Sequence, residues 1–378
     1  EALMTASTGA ENVGIGYRAL KLTTGNSNVA VGKNALALNS SASNNTAVGT
    51  SALTANQTGT DIVALGFNAL MAATAGYNTA VGARAGQALT SGTFNTAIGR
   101  DSLAGVVTGT HNSGLGNASL AALTSGGFNT ASGSNSLVGL TTGSANTAMG
   151  YQSLKSIVSD SNTVGIGTNA GVNSTTSQSV IIGSQANASG VMTGDNNTYV
   201  GYASGFNSTS GDLNVGVGSN ALAGNLSGAR NIAIGANALD ANTVGSKNIA
   251  IGTDALGANV DGSRSVAVGE AALQNQEPAS AVDMYNTAVG HAAGNQVSTG
   301  AYNTLIGGLA GDGLTTGDAN VAVGSQSLSA VCTGSNNVAV GHASLEDVTS
   351  GHENTSIGRN SGLQMTEGGE NVIVGYQA

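Results

Sequence analysis

The feature that most constrains this chain is a repeat of 17 residues that runs along its whole length. A glycine, here called the anchor glycine, recurs 22 times, and its spacing departs from 17 residues only to 16, 18 or 21. The consensus around it is Asn-(Thr/Val)-Ala-(Val/Ile)-Gly-x-x-(Ala/Ser)-Leu. A short fixed period of this kind is the signature of a solenoid in which each copy forms one coil.

Each copy is too short for a pair of helices, and its pattern favours strands. The residue three before the anchor glycine is Val, Ile or Thr in every copy except at Ser113, and the residue one before it is aliphatic except at Ser132. β-branched residues at a period of two are typical of a strand. We therefore predict an all-β parallel β-solenoid or β-roll of about 22 coils, with two short strands per coil, as one continuous array over residues 1–378.

Two positions of the repeat predict turn and ladder structure. The anchor glycines suit a backbone turn with positive φ; examples are Gly16, Gly150, Gly269 and Gly324. Asparagine stands four residues before the anchor in 18 of 22 copies. Stacked coil on coil, these side chains predict an amide ladder; it includes Asn12, Asn28, Asn95, Asn146, Asn248, Asn320 and Asn354. The alternative is N-glycosylation at the Asn-x-Thr triplets, but the consensus itself generates those triplets.

The middle residue of the predicted strand is small. We expect its two β-branched neighbours to face an aliphatic core and the small residue to face outward, where another backbone could approach closely. The candidate subunit-contact face is Ala30, Ala47, Ala80, Ala250 and Ala322. Thin coils bury little apolar area alone, so lateral association of three chains about one axis would supply the missing core.

The ends of the sequence and one insertion break the pattern. Glu1-Ala2-Leu3 and Gln377-Ala378 both fall inside a repeat, which predicts a segment of a longer fibre. The step from Gly269 to Gly290 is 21 residues long and carries the single proline, Pro278. This insertion predicts a surface loop, and whether the loop has a function stays open.

Composition disfavours several classes of function. Ten basic against 20 acidic residues argue against nucleic-acid binding, which needs clustered Lys and Arg. One cysteine, Cys332, and four scattered histidines provide little for a metal site or general-base catalysis. The sequence contains no apolar run long enough for a membrane span. We predict a protein that is not an enzyme, has no cofactor or metal, and does not insert into a membrane.

Aromatic residues occupy two positions of the repeat. One set directly follows the anchor glycine, and Tyr17, Tyr151, Tyr202 and Tyr376 are candidates for stacking against sugar rings. The other set directly precedes the ladder position and consists of Tyr77, Phe94, Phe128, Tyr285 and Tyr302. The alternative is that these rings cover coil edges or pack between subunits.

The repeat resembles two related families. Ser265-Val266-Ala267-Val268-Gly269, followed by Ala272, is similar to the head motif of trimeric autotransporter adhesins. The pattern from Asn146 to Leu154 more closely resembles repeats of phage tail fibres and bacterial fibre proteins, which often end in an endosialidase-type intramolecular chaperone. The resemblance covers the whole chain and implies a homotrimeric fibre of parallel coils. The coil here is a few residues longer than in the adhesin heads, so phage and bacterial origins both stay open.

These observations predict a non-catalytic shaft of a homotrimeric extracellular fibre, in a virion tail fibre or on a bacterial surface. It would project a receptor-binding tip for attachment to a cell surface, with sister copies as its partners and a cell-surface glycan or receptor as a further one. The alternative is a solenoid that recognises polysaccharide or ice along a regular face. Ice binding predicts an unbroken outward row of threonine, whereas the threonines here alternate with valine at positions expected to face inward.

Overall fold

The chain is an all-β parallel β-solenoid, seen in a computed structural model that describes residues 2, 5, 6 and 8–378. Glu1 and Leu3, on which the expectation of a repeat cut at the amino terminus partly rests, lie outside the described residues. Those residues contain no helix. The chain divides into two compact units, Glu1–Ser184 (unit 1) and Gln185–Ala378 (unit 2), and each is considered by itself. One continuous array over the whole chain stays a prediction.

A strand of three residues precedes each anchor glycine, and the two further strands β1 and β3 have two residues each. In unit 1 the strands are β1 Thr5–Ala6, β2 Val13–Ile15, β3 Leu22–Thr23, β4 Val29–Val31, β5 Thr46–Val48, β6 Val63–Leu65, β7 Thr79–Val81, β8 Thr96–Ile98, β9 Ser113–Leu115, β10 Thr130–Ser132, β11 Thr147–Met149, β12 Val164–Ile166 and β13 Val180–Ile182. In unit 2 they are β14 Thr198–Val200, β15 Val215–Val217, β16 Ile232–Ile234, β17 Ile249–Ile251, β18 Val266–Val268, β19 Thr287–Val289, β20 Thr304–Ile306, β21 Val321–Val323, β22 Val338–Val340, β23 Thr355–Ile357 and β24 Val372–Val374.

Consecutive coils pair in parallel and in register with the repeat. In unit 2, Ala233 of β16 pairs with Ala250 of β17, and Ala250 pairs with Ala267 of β18. The long step after β18 does not disturb this register, because Val266 still pairs with Thr287 of β19. The four extra residues are absorbed away from the strand, in an exposed loop at 279–283.

The prediction of two strands per coil is wrong for most coils. Among the described residues, pairing beyond the three-residue strands is limited to β1 with β3 and to three isolated bridges, such as Leu314 with Cys332. The reason is backbone conformation: in a typical coil the residues two and four after the anchor have positive φ, as at Asn237 (52°) and Leu239 (53°). Left-handed residues turn the chain and interrupt a strand. Coil-to-coil hydrogen bonds continue nonetheless, as from the Leu239 N–H to the Ala255 carbonyl at 3.0 Å.

The anchor glycines cannot be replaced, for two reasons visible at Gly150. Its φ of 127° lies in a region that L-residues avoid. A Cβ atom there would also lie 2.5 Å from the carbonyl oxygen of Gly167 in the next coil. The turn and the close coil stacking therefore both require glycine. Gly16, Gly269 and Gly324 also have positive φ, of 123°, 138° and 138°.

The expected orientation of the strand was wrong. The middle residues face inward, and each of the alanines proposed as a subunit-contact face has a relative exposure of 0% within its own chain: Ala30, Ala47, Ala80, Ala250 and Ala322. They pack in the core with the fully buried leucines four residues after the anchor, such as Leu239 and Leu256. The β-branched flanking residues therefore face outward, since successive side chains of a strand alternate.

Volume explains why alanine occupies the middle of the strand. Where Tyr199 or Leu305 stands there instead, the facing leucine is replaced by glycine. A methyl group added at Gly205 would lie 2.6 Å from Tyr199 Cδ1, and one added at Gly311 would lie 2.7 Å from Leu305 Cδ2. The coil is thus too narrow for two large side chains across from each other, which is the close packing expected of a protein interior.

Candidate functional site

The outward side of the strands forms a flat apolar surface in each unit. We call the first and third residues of the three-residue strands of a unit its aliphatic face. In unit 2 every third residue is Val or Ile and every first residue is Val, Ile or Thr, over eleven strands. This face contains no charged or amide side chain, and it extends about 48 Å at the usual strand spacing.

Residues of the aliphatic face remain considerably exposed. Ile234, Ile251 and Ile306 keep 40%, 37% and 41% of their accessible surface. In unit 1, Ile98 and Met149 keep 38% and 46%, while Ser113 and Ser132 interrupt the apolar columns. Contiguous apolar surface on this scale is rare in soluble monomers and marks interaction sites.

Ice binding was disfavoured because the threonines were expected to face inward, and the outward orientation of the strand ends removes that reason. Threonines such as Thr79, Thr96 and Thr130 begin their strands and lie on the outward side, half-buried or exposed. Valine or isoleucine still takes their place in other coils of the same column, for example at Val63 and Ile232. The unbroken threonine row that ice binding predicts is therefore missing from the described coils.

The asparagines four residues before the anchor form a buried ladder inside each unit. Asn231 shows the pattern: its Nδ2 donates to the Gly245 carbonyl at 2.9 Å, its backbone N–H donates to Asn214 Oδ1 at 2.9 Å, and its own Oδ1 accepts the Asn248 N–H at 3.0 Å. Each side chain thus satisfies backbone groups of its own and the neighbouring coils. The seven asparagines named from the sequence, Asn12, Asn28, Asn95, Asn146, Asn248, Asn320 and Asn354, all take part.

Gln276, seven residues after Gly269, supplies a replacement where the ladder loses its asparagine at Ser265. Gln276, fully buried, accepts hydrogen bonds from Ser265 Oγ at 3.0 Å and from Asn286 Nδ2 at 2.8 Å. Its own Nε2 donates to Asn259 Oδ1 at 2.9 Å. Gln276 occupies the same repeat position as Asn259 and precedes the exposed loop at 279–283. The sequence did not reveal its structural role because Gln276 lies outside the ladder position.

A second column of side chains lies beside the ladder on the surface. We call the residues that directly precede the ladder position the flank column. They have left-handed φ, for example 60° at Phe128 and 60° at Arg230. In most of these residues the backbone N–H donates to a carbonyl of the preceding coil, as from Arg230 to Asp212 at 3.0 Å. These bonds align the column, so its side chains project in one row.

In unit 1 the flank column contains four stacked rings. Tyr77, Phe94, His111 and Phe128 follow one another at centroid distances of 5.0, 5.0 and 4.9 Å, with interplanar angles of 10°, 21° and 9°. All four are exposed. Sequence reasoning missed this stack because it counted only Phe and Tyr, and His111 fills the gap between two phenylalanines. Aligning the copies on the anchor glycine and including histidine would have found it.

In unit 2 the flank column is basic and then aromatic. Arg230, Lys247 and Arg264 are exposed and occupy consecutive coils, followed by Tyr285 and Tyr302. The Arg264 guanidinium lies 5.5 Å from the Tyr285 ring centroid, and that ring stacks on Tyr302 at 5.5 Å and 16°. Arg264 also pairs with Asp283 of the inserted loop at 3.0 Å.

The tyrosines named as sugar-stacking candidates are exposed but do not stack on one another. Tyr17, Tyr151, Tyr202 and Tyr376 keep 59%, 49%, 55% and 65% of their accessible surface. The ring stacks found among the described residues all lie in the flank column instead. The structure thus places adjacent rings at a different repeat position, and a sugar-binding role for these four residues stays a prediction.

Several titratable groups have shifted pKa values, each with a simple cause. Burial raises the pKa of Tyr199 to about 12, and its hydroxyl accepts a hydrogen bond from Ser208 Oγ at 2.9 Å. Burial also raises the pKa of the Cys332 thiol and of the Asp240 and Asp312 carboxyls. In unit 1, hydrogen bonds from Arg84 hold the pKa of Asp101 below its usual value. These groups lie on different coils.

Searches for other kinds of site and for relatives gave no match. Across the described residues, no three His, Cys, Asp or Glu side chains are placed to hold a metal ion. A membrane-spanning helix is likewise not found in that part of the chain. No family model matches the sequence, and a search of curated proteins finds no similar one. The solenoid fold is therefore established by the structure, and no family membership is assigned.

Proposed function

We propose that this protein is a structural shaft of a homotrimeric extracellular fibre, whose copies associate side by side through their aliphatic faces. The observation that carries this proposal is the aliphatic face of unit 2, eleven strands without a charged or amide side chain. Transfer of such surface out of water is favourable at about 25 cal/mol per Å². Copies that cover it would gain the apolar burial that a narrow coil lacks.

The corrected strand orientation changes the contact surface and leaves the assembly proposal in place. Alanine cannot make the contact, because its side chain is buried within its own coil. Valine and isoleucine take that role, with flat β-branched surfaces suited to packing against one another. The number three comes from the resemblance to trimeric fibre repeats. Rotation about an axis along the stack keeps all copies parallel, as a fibre with a single tip requires.

The internal structure supports a mechanical role. The asparagine ladder satisfies buried polar groups from coil to coil, and Gln276 maintains it where Ser265 replaces asparagine. Networks of this kind rigidify a core when every member is satisfied. A shaft that carries a receptor-binding tip on a virion or a bacterial surface needs this stiffness.

The oligomeric state in solution tests the proposal. Sedimentation equilibrium of the full chain without denaturant should give three times the mass of one chain. The variant I234K/I251K places two charges on the aliphatic face and should dissociate the assembly. The matched variant L226K/V244K changes two side chains of similar exposure, 44% and 41%, located away from the strands, and should remain trimeric.

A wild-type protein that is monomeric at micromolar concentration would overturn the proposal. Equal dissociation by both lysine pairs would also contradict it, because the effect would then come from added charge and not from the aliphatic face. Circular dichroism of each variant shows whether its coils remain folded.

A further inference from the structure

The flank column of unit 2 concentrates positive charge in an otherwise acidic region. Unit 2 contains 15 acidic and four basic residues, and three of those four are Arg230, Lys247 and Arg264. They stand on consecutive coils, about 4.8 Å apart at the usual strand spacing. Like charges in such a row repel one another, so the row is unfavourable unless something negative compensates it.

The protein itself compensates little of this charge. Arg264 pairs with Asp283, whereas Arg230 and Lys247 make no ion pair among the described residues. The neighbouring column, one residue earlier in each coil, carries Asp195 and Asp212 before this stretch and Asp318 after it. Beside the three cations it carries Ala229, Ser246 and Ser263 instead. Acidic side chains are thus absent from that column where the positive row lies.

The backbone conformation makes these residues costly choices. Arg230, Lys247, Arg264 and Tyr302 have φ of 60°, 62°, 64° and 61°. Left-handed geometry is unfavourable for an ordinary residue, and asparagine tolerates it best after glycine. Asparagine does occupy the same position at Asn44, Asn162, Asn196 and Asn336. The turn alone therefore gives no reason for arginine, lysine or tyrosine here.

Two aromatic rings continue the row. Tyr285 lies between Arg264 and Tyr302, so both of its faces are covered. Tyr302 is 60% exposed, and the next residue of its column is the small Ala319, so no larger column side chain covers its second face. An amphipathic ring with one open face offers a platform for the C–H face of a sugar.

We infer that the flank column from Arg230 to Tyr302 is a binding track for a linear acidic polysaccharide. Carboxylates of the polymer pair with Arg230 and Lys247 and share the Arg264 guanidinium with Asp283, and a sugar ring of the same strand stacks on Tyr302. A polysaccharide fits better than nucleic acid, because three cations on a chain of net charge −10 cannot offset the charge density of a nucleic-acid backbone. This site does not depend on the trimer and goes beyond the shaft function.

Binding of a polyuronate to the full chain tests the inference. Alginate is the probe, dextran is the uncharged control polymer, and duplex DNA is the competing polyanion. Alginate should bind, the binding should weaken with added salt, and dextran and DNA should bind at least tenfold more weakly, at about 0.1 M salt where the screening length is about 10 Å. DNA binding as tight as alginate binding, or dextran binding equal to it, would overturn the inference.

The variant R230N/K247N/R264N separates binding from folding. Asparagine suits the left-handed backbone, so this variant should unfold at the same or a higher denaturant concentration. Its alginate affinity should fall roughly tenfold or more, as expected for three lost exposed ion pairs. Y302A should lower affinity by a few-fold and leave the salt dependence unchanged.

The control variant K33Q/K155Q/R359Q removes the same number of charges from exposed positions outside the column. It should bind alginate like the wild type. An equal loss in this control would assign binding to net charge and overturn the inference. Dissociation of an assembled wild type by R230N/K247N/R264N would also overturn it, because the column would then be a contact between copies.

Discussion

The flank columns of the two units share one backbone and carry different chemistry. In unit 1 the column presents Tyr77, Phe94, His111 and Phe128, stacked at about 5 Å and without Arg or Lys among them. In unit 2 it presents Arg230, Lys247 and Arg264 before two tyrosines. The φ values agree within a few degrees between Phe128 (60°) and Lys247 (62°). The ladder and turns therefore fix the position of a flank-column side chain but not the type of residue that occupies it.

This difference separates the scaffold from the surface it carries. If the scaffold is the same in both units, equivalent changes to it should have equal effects in each. Substitutions in the flank columns should instead have different effects in the two units. Denaturant unfolding measures both sets of variants.

The largest effect is expected at the anchor glycines. G133A in unit 1 and G252A in unit 2 each place a methyl group at φ near 137° and against the carbonyl of the next anchor glycine, Gly150 or Gly269. Strain and overlap together should reduce the free energy of unfolding by more than about 4 kcal/mol in both variants. G308A is the control, because no heavy atom lies within 4 Å of its added methyl group. A mild effect in one unit would show that the scaffolds differ.

The ladder should give the next largest effect. Asn112 in unit 1 and Asn231 in unit 2 make matching bonds, from Nδ2 to a glycine carbonyl at 2.9 Å and from the next asparagine N–H to Oδ1 at 3.0 Å. N112L and N231L leave those buried partners unsatisfied and should each lose about 3 kcal/mol. N112S should lose less, since Ser179 and Ser265 occupy this position naturally. Unequal losses for the two leucine variants would contradict a shared ladder.

The ring stacks should contribute less. H111A removes the ring between Phe94 and Phe128, and Y285A removes the ring between Arg264 and Tyr302. Each should lower the free energy of unfolding by about 1 kcal/mol. H111F should keep the stack and equal or exceed the wild type. Y202A is the control for loss of an exposed ring that stacks on no other. If H111A behaves like Y202A, the four-ring stack does not stabilise unit 1.

The smallest effects should have opposite signs in the two units. The Arg84 side chain lowers the pKa of Asp101, so ionised Asp101 stabilises unit 1. This stabilisation is fully present above the usual pKa of an aspartate and is lost as the pH falls through the lowered pKa. Burial raises the pKa of Asp312, so protonated Asp312 contributes to the stability of unit 2. This contribution is fully present below the usual pKa of an aspartate and is lost as the pH rises through the raised pKa.

At pH 7, D101N should therefore destabilise and D312N should stabilise, each by less than about 1 kcal/mol because both groups are partly solvated. Urea midpoints at pH 7 and near pH 3 measure the difference. The gain of D312N should disappear at the lower pH. A gain that persists there would assign it to hydrogen bonding and not to charge.

Much of the fold follows from the repeat alone. The period gives the coil, the β-branched alternation gives the strand, and Asn231 and Gly150 hold the ladder and turn that their positions predict. The face of the strand could not be read from alternation, because a Val-Ala-Val strand alternates equally well in either orientation. One partial signal was present and overlooked: Gly205 and Gly311 replace leucine in the copies where Tyr199 and Leu305 replace alanine, although glycine also stands there in copies with a small middle residue, as at Gly86 and Gly294. That exchange indicates that the two positions face each other.

The amino-acid sequence by itself determined the repeating unit, since local turn preferences and a fixed period act within each copy. The tertiary structure decided which side of the strand meets water, because the narrow coil packs the middle strand residue against the side chain four residues after an anchor and leaves room for only one large side chain of the two. It also decided which distant residues become neighbours. His111 completes a ring stack and Gln276 completes a ladder only because stacking brings residues of different coils into contact.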